Sequence, residues 1–200
     1  MFQKFHVKKD ERALLFYRGD FVRILEAGEV RVFDPFKRYS AEFFSLARPL
    51  FEHRLAEYLI AREPARVAEM FHLVQTHAGQ VALRYQDERL VEVLPPDTRR
   101  LYWKGFVDTR FEYLDVATDS AVAATLIPRL IAVANGVVRA LVTGADLVLG
   151  VPVPQYHVAV LLVDGKRAAL LQTGLHAFWR VGRDLRAELV DLRLQVLEVA

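Results

Sequence analysis

Three aromatic residues, Phe33, Trp103 and Trp179, occupy the same place in a pattern that passes through the chain three times, and this recurrence limits the fold more than any other feature. Upstream of each lies an apolar run that ends in a polar turn. The runs are Ala13 to Tyr17 before Arg18 and Gly19, Val81 to Tyr85 before Asp87 and Glu88, and Val158 to Val163 before Asp164 and Gly165. Asp-Gly is a dipeptide that tolerates the positive φ of a tight hairpin turn, which gives Gly165 a structural role. A second apolar run comes next (Phe21 to Leu25, Leu90 to Leu94, Ala168 to Leu171). The chain then breaks at Gly28, at Pro95 and Pro96, or at Gly174, and reaches the aromatic residue. Short apolar runs bounded by turn residues read as strands, so each pass predicts an antiparallel β-meander with its aromatic residue as a core anchor.

Beyond the aromatic residue the apolar alternation changes phase in all three passes: Tyr39, Ala41, Phe43, then Phe44 and Leu46; Thr109, Phe111, Tyr113, then Leu114 and Val116; Leu185, Ala187, Leu189, then Val190 and Leu192. Side chains alternate faces along a strand, so the change predicts a β-bulge in the last strand of each meander. Glu42, Glu112 and Glu188 precede the change. With Lys37, Arg38, Arg110 and Arg186 nearby, they read as cross-strand charge pairs on solvated faces rather than as general bases.

The segments between the passes read as helical. Pro49 opens a stripe of Phe51, Leu55, Tyr58 and Leu59, and Pro64 restarts a second helix with Val67, Phe71 and Val74 inside. Asp119 or Ser120 caps a longer apolar segment, broken at Pro128, whose half from Leu130 to Leu141 is apolar almost all round and predicts a buried helix. Pro152 and Pro154 make the uncharged run from Leu147 to Val163 a linker entering a strand. The expected fold is therefore α+β: three repeated antiparallel β-meander units joined by helical connectors. The units span residues 1–74, 75–150 and 151–200. The last closes on the apolar stretch LRLQVLEVA, read as a strand whose neighbours are missing, with Ala200 a cut within a longer protein.

Composition narrows the function classes. The chain has 200 residues, is 53% hydrophobic and carries a formal net charge of +2, so it can bury a core and has no basic face for nucleic acid. Cysteine is absent, which removes disulfides, thiolate metal sites and thiol catalysis. The N-terminal MFQKFHVKKDER has no apolar core of a signal peptide, and export is not expected. Ser40, Ser45 and Ser120 lie outside nucleophile motifs, and the six histidines lack metal-ligand spacing, so no catalytic, cofactor or metal residue is assigned. An enzyme reading would need His157, His176 and Glu188 to converge in a pocket between the units. Lys8, Lys9, Arg129 and Arg139 are candidate contacts to anionic lipid.

The third pass carries the strand and turn VLLVDGK, the segment TGLHAFW and the run AELVDLRLQVLEVA. In these it resembles the opening of the band-7 domain of stomatin, prohibitin and flotillin type proteins, and most closely bacterial slipins. Upstream, ALLFYRGDFVRILEAGEVRVFDPF and RRLYWKGFVDTR resemble the N-terminal extension of a slipin subgroup that has such copies in place of a membrane hairpin. The resemblance implies a non-enzymatic, membrane-associated scaffold that forms homo-oligomers and organises membrane microdomains. It would regulate partner membrane proteins such as NfeD-type proteases, from the cytoplasm or peripherally at the inner membrane. The alternative is a soluble protein-binding or lipid-binding module without ring assembly.

Overall fold

Runs of β-branched and aromatic residues separated by tight turns form strands through most of the chain. The computed structural model describes residues 1–193. In order they form β1 (Phe2–Val7), β2 (Glu11–Tyr17), β3 (Asp20–Leu25), β4 (Gly28–Phe33), β5 (Tyr39–Ser45) and the short β6 (Leu50–Phe51). Helices α1 (Ala56–Arg62) and α2 (Pro64–Met70) come next, then β7 (Phe71–Gln75), β8 (Gln80–Gln86), β9 (Arg89–Leu94), β10 (Arg99–Trp103) and β11 (Thr109–Asp115). After α3 (Ile127–Leu130) come β12 (Ile131–Ala134), β13 (Val137–Ala140), β14 (Val148–Val153), β15 (His157–Val163), β16 (Lys166–Leu171), β17 (Gly174–Trp179) and β18 (Leu185–Asp191).

With 55% strand and 11% helix in many small antiparallel sheets, the chain is mostly β, which overturns the expected α+β array with helical connectors. Among the described residues the helices are three short pieces, and the second connector is a hairpin. The apolar segment from Leu130 to Leu141 folds as β12 and β13, paired from Ile131↔Ala140 to Ala134↔Val137. Asn135 and Gly136 turn between them with φ of 52° and 76°, the primed-turn conformation that an Asn-Gly pair adopts at low cost. Ile131, Val133, Val137 and Val138 are β-branched, and the Asn-Gly turn outweighs the continuous apolarity that suggested a helix. Residues 148–153 likewise form β14 rather than a linker, and α2 stops at Met70 because β7 takes Phe71 and Val74.

The strand pairing also departs from a meander. β2 is flanked by β3 and β5, and β4 leaves β3 to pair with β1, from Phe2↔Phe33 to Val7↔Gly28. The same arrangement appears as β7 beside β10 with β9–β8–β11, and as β14–β17 with β16–β15–β18. The strands β1, β7 and β14 lie outside the pattern that the sequence displays. Arg18 and Gly19, Asp87 and Glu88, and Asp164 and Gly165 all have positive φ in the first hairpin turn. The register shift lies in that hairpin too, at Leu15/Phe16, Arg84/Tyr85 and Leu161/Leu162. Between β2 and β5 the register runs unbroken from Glu11↔Ser45 to Tyr17↔Tyr39, so the predicted bulge after Glu42 does not exist. The same holds after Glu188, where β15 and β18 pair without a shift. The apolar phase changes because the two halves of β5 bury opposite faces: Tyr39 and Ala41 pack with Ala13 and Leu15, while Phe44 packs with Leu14 and Phe16.

The chain divides into two compact units, Met1–Val74 with Arg100–Thr109, and Gln75–Arg99 with Arg110–Ala200. In the first unit β2 is buried on both faces, which is why its sequence is a continuous apolar run. One face packs Ala13 and Leu15 against Phe5, Val7 and Leu25. The other packs Leu14, Phe16 and Ile24 under Phe71, Leu101 and Trp103, with Leu59 and Val67 from the two helices. Trp103 lies 4.1 Å from Phe71 in a stacked geometry, and β6 adds to the edge of β10 through Leu101↔Phe51.

In the second unit Leu83, Tyr85 and Val93 lie under Val148, Ala177 and Trp179, and the segment before α3 adds to the edge of β17 through the Ala121↔Phe178 bridge. The hairpin β12–β13 presses on β14 at Gly150, where a Cβ would lie 2.7 Å from methyl groups of Ile131 and Val138. A separate cluster of Val151, Val153, Ala159, Leu161 and Leu171 fills the space between β14–β17 and β15.

Phe33 is not a core anchor: it is 65% exposed, against 2% for Trp103 and Trp179. Trp179→Ala is expected to cost about 3–5 kcal/mol in urea denaturation, the range for truncating a buried aromatic side chain. Phe33→Ala is expected to cost under about 1 kcal/mol, as for an exposed position.

Candidate functional site

Each of the three β sheets built on β2, β8 and β15 has an outer face made by equivalent residues. In the first these are Leu14, Phe16, Ile24, Phe44 and Leu46, all within one cluster. In the second they are Leu83, Tyr85, Val93, Leu114 and Val116, again within one cluster. In the third the same positions hold Val160, Leu162, Leu170, Val190 and Leu192, and they join no buried cluster. Leu170 is 55%, Val190 44% and Leu192 59% exposed, whereas Leu46 and Val116 are 3% exposed each. The covering element in the first two cases is a strand pair ending in tryptophan, β7–β10 or β14–β17. The third face is an apolar surface with the same pattern and no such cover among the described residues.

A polar cleft of about 520 Å³ opens in the second unit between β8, β11 and the segment leading to α3. Tyr85, Arg110, Glu112, Asp119, Arg129 and Trp179 are among its walls. Arg110 places its guanidinium 4.4 Å from the centre of the Tyr85 ring, within cation–π range. Burial raises the pKa of the Tyr85 hydroxyl, the Glu112 carboxylate raises it further, and Arg129 opposes both. The cleft therefore holds a neutral phenol between a cation and a carboxylate. It contains no nucleophile paired with a base.

The remaining candidates separate. Gly28 and Gly174 stand at equivalent positions with the same φ of 141°, at the start of β4 and β17, and Gly165 turns the β15–β16 hairpin. Lys8 and Lys9 lie in the β1–β2 turn, with Lys8 Nζ 3.4 Å from Glu11. Arg129 lines the cleft, and Arg139 is exposed on β13 opposite Ala132. His157 contacts the Gln155 carbonyl at 3.0 Å, His176 contacts the Gln172 carbonyl at 2.8 Å, and Glu188 faces solvent opposite Val160. None of those three lines the cleft. Glu42 contacts His53 at 3.0 Å, Glu112 enters the cleft and Glu188 stays on the sheet surface, so the three acids have separate environments. Among the described residues no group of three His, Cys, Asp or Glu is placed to hold a metal.

Sequence reasoning missed two features. Arg84 donates to Glu92 at 2.8 Å from largely buried positions, where the first motif has Leu15 and Arg23 and the third has Leu161 and Ala169. The signal was a charge inside the apolar run from Val81 to Tyr85. The other is the exposed pair of Phe2 and Phe33, whose rings meet edge to face at 5.4 Å. Alternation in FQKFHV was its trace. The closing stretch LRLQVLEVA lies almost wholly outside the described residues. No helix among them is long and apolar enough to cross a membrane.

No family model, curated protein or solved structure matches this chain.

The folded state favours the protonated Tyr85 phenol, so its contribution is fully present below the ordinary phenol pKa of 10.0 and is lost as pH rises through the higher folded value. Tyr85→Phe should flatten the fall in urea midpoint above that pH, measured beside the wild-type chain.

Proposed function

We propose that this chain is a non-enzymatic scaffold of the slipin type, an assembly module on the cytoplasmic side of a membrane that organises microdomains and holds partner membrane proteins. The observation that carries the reading is the mode of stacking. In the first unit the sheet built on β2 is covered on one face by β1–β4 and on the other by β7–β10 with its tryptophan, and in the second unit the sheet built on β8 is covered by β14–β17 with its tryptophan. A chain built this way offers large, shape-defined faces rather than a reaction centre. The apolar face of Val160, Leu162, Leu170 and Val190 is the form such a contact takes when unoccupied. Membrane-bound proteases of the NfeD type, which the slipin resemblance names, are the partner class proposed.

Peripheral lipid contact belongs to the hairpin β12–β13. Val137 and Leu141 are exposed on either side of Arg139 along one face of this segment, a small apolar strip with a cation that suits the interface of an anionic bilayer. A second reading, a soluble binding module, draws on the cleft of Tyr85, Arg110 and Glu112, which suits a polar ligand.

Flotation with anionic liposomes through a density gradient separates the readings. The scaffold reading expects the chain to float, with binding that survives high salt because apolar insertion is screened little. Val137→Asp with Leu141→Asp should abolish it. A chain that stays at the bottom at low salt, while retaining its fold, leaves the soluble module as the reading.

A further inference from the structure

We infer that the outer face of β16–β15–β18 binds the strand pair β1–β4 of a second copy of this chain, with Phe2 and Phe33 in the role that Phe71 and Trp103, or Val148 and Trp179, have within the chain. The inference deepens the assembly reading and rests on it for its purpose, but its grounds are separate.

The first ground is internal precedent. Two faces of equivalent composition are each covered by a strand pair whose last residue is aromatic, and in both the covering residues occupy the same positions of the pair. Phe71, Leu101 and Trp103 cover Leu14, Phe16 and Ile24. Val148, Ala177 and Trp179 cover Leu83, Tyr85 and Val93. The third face carries the equivalent apolar residues Val160, Leu162 and Leu170, the last of them largely exposed.

The second ground is that the chain carries a matching element whose outer aromatic face nothing covers among the described residues. Phe2 and Phe33 stand at the positions of Phe71 and Trp103 and of Val148 and Trp179, by the pairing Phe2↔Phe33 and Val148↔Trp179. They are 67% and 65% exposed and already meet edge to face, so the aromatic wedge is preformed. β4 has an open edge as well: β10 gains β6 and β17 gains the bridge from Ala121, whereas β1–β4 stays two-stranded among the described residues. Exposed aromatic side chains on an open-edged strand pair are unusual in a chain that remains monomeric.

A contact between two different faces is heterologous, so a bound copy still presents its own free face and association continues unless a ring closes. Sedimentation velocity over a wide concentration range tests this with the full chain. The wild type is expected to gain mass with concentration. Phe33→Glu removes one side of the contact and Leu170→Glu the other; both positions are exposed, and circular dichroism checks that both variants keep the fold. Each variant alone should stay monomeric. Mixed, they retain one good face each and should form a species that stops at two chains.

A wild type that is monomeric at every concentration overturns the inference. So does association that survives either substitution, or a mixture that fails to pair. Monomeric behaviour together with liposome flotation would remove this contact and leave the scaffold reading in place, whereas paired chains that do not float would do the reverse.

Discussion

Burial of a central strand on both faces is the constraint on which the rest of this structure depends. β2 and β15 receive one face from their own strand pair, β1–β4 or β14–β17, through small, mostly aliphatic clusters. The opposite face of β2, and that of β8, is closed only by polypeptide that comes later in the chain. A fully buried Leu or Phe side chain contributes about 1.5–3 kcal/mol relative to leaving it exposed, so stripping the cover from Leu14, Phe16 and Ile24 would cost several such contributions together. Adjacent motifs are therefore energetically coupled, and the tryptophans matter because they fill the centre of each cover. Trp103 meets Phe51 at 5.2 Å and Phe71 at 4.1 Å, an aromatic group that joins β6, β7 and β10.

Some of this was legible in the sequence. The hairpin turn at Asp164 and Gly165, the aromatic residue at the end of the fourth strand and the recurrence of both came from local chemistry, which turn residues and apolar runs encode directly. The pairing did not. Nothing local says that β4 leaves β3 for β1, because both choices bury Val30 and Val32 on one face; the decision is made by Phe5 and Val7 on a strand well upstream. The change of phase near Phe43 was visible but admitted two explanations. A bulge keeps one face inside, whereas a strand between two cores can bury opposite faces in its two halves, and the unbroken β2–β5 register together with the packing of Phe44 with Leu14 and Phe16 distinguishes them.

The segment from Leu130 to Leu141 shows the opposite situation, in which local chemistry held the answer and the broader pattern pointed away from it. An apolar run without alternation is compatible with a buried helix or a strand, and length favoured the helix. The Asn135–Gly136 pair was the deciding residue chemistry, since a primed turn there allows Val133 to pair with Val138 and brings Ile131 onto Gly150. The cleft was illegible for a different reason. Tyr85, Glu112 and Arg129 are separated by long stretches of sequence, and Tyr85 reads as an ordinary core aromatic residue until its hydroxyl is seen among charges.

Among the described residues two faces have no cover, and their chemistry differs. On the third sheet Arg167 takes the place of Phe21 and Leu90, so the apolar patch keeps its centre but gains a charged rim. On β1–β4, Arg31 replaces Leu101 and Ala177; it binds Glu29 at 2.6 Å, and Lys4 lies 3.6 Å from the same carboxylate. Those exposed ion pairs add little stability, and they set a charged group beside Phe2 and Phe33 at the position that is buried in both internal covers. The internal contacts have no such rim at their centres and are held at high effective concentration by the connecting chain. An apolar face with charged groups on it, lacking that tether, supports only weaker association than the internal contacts have.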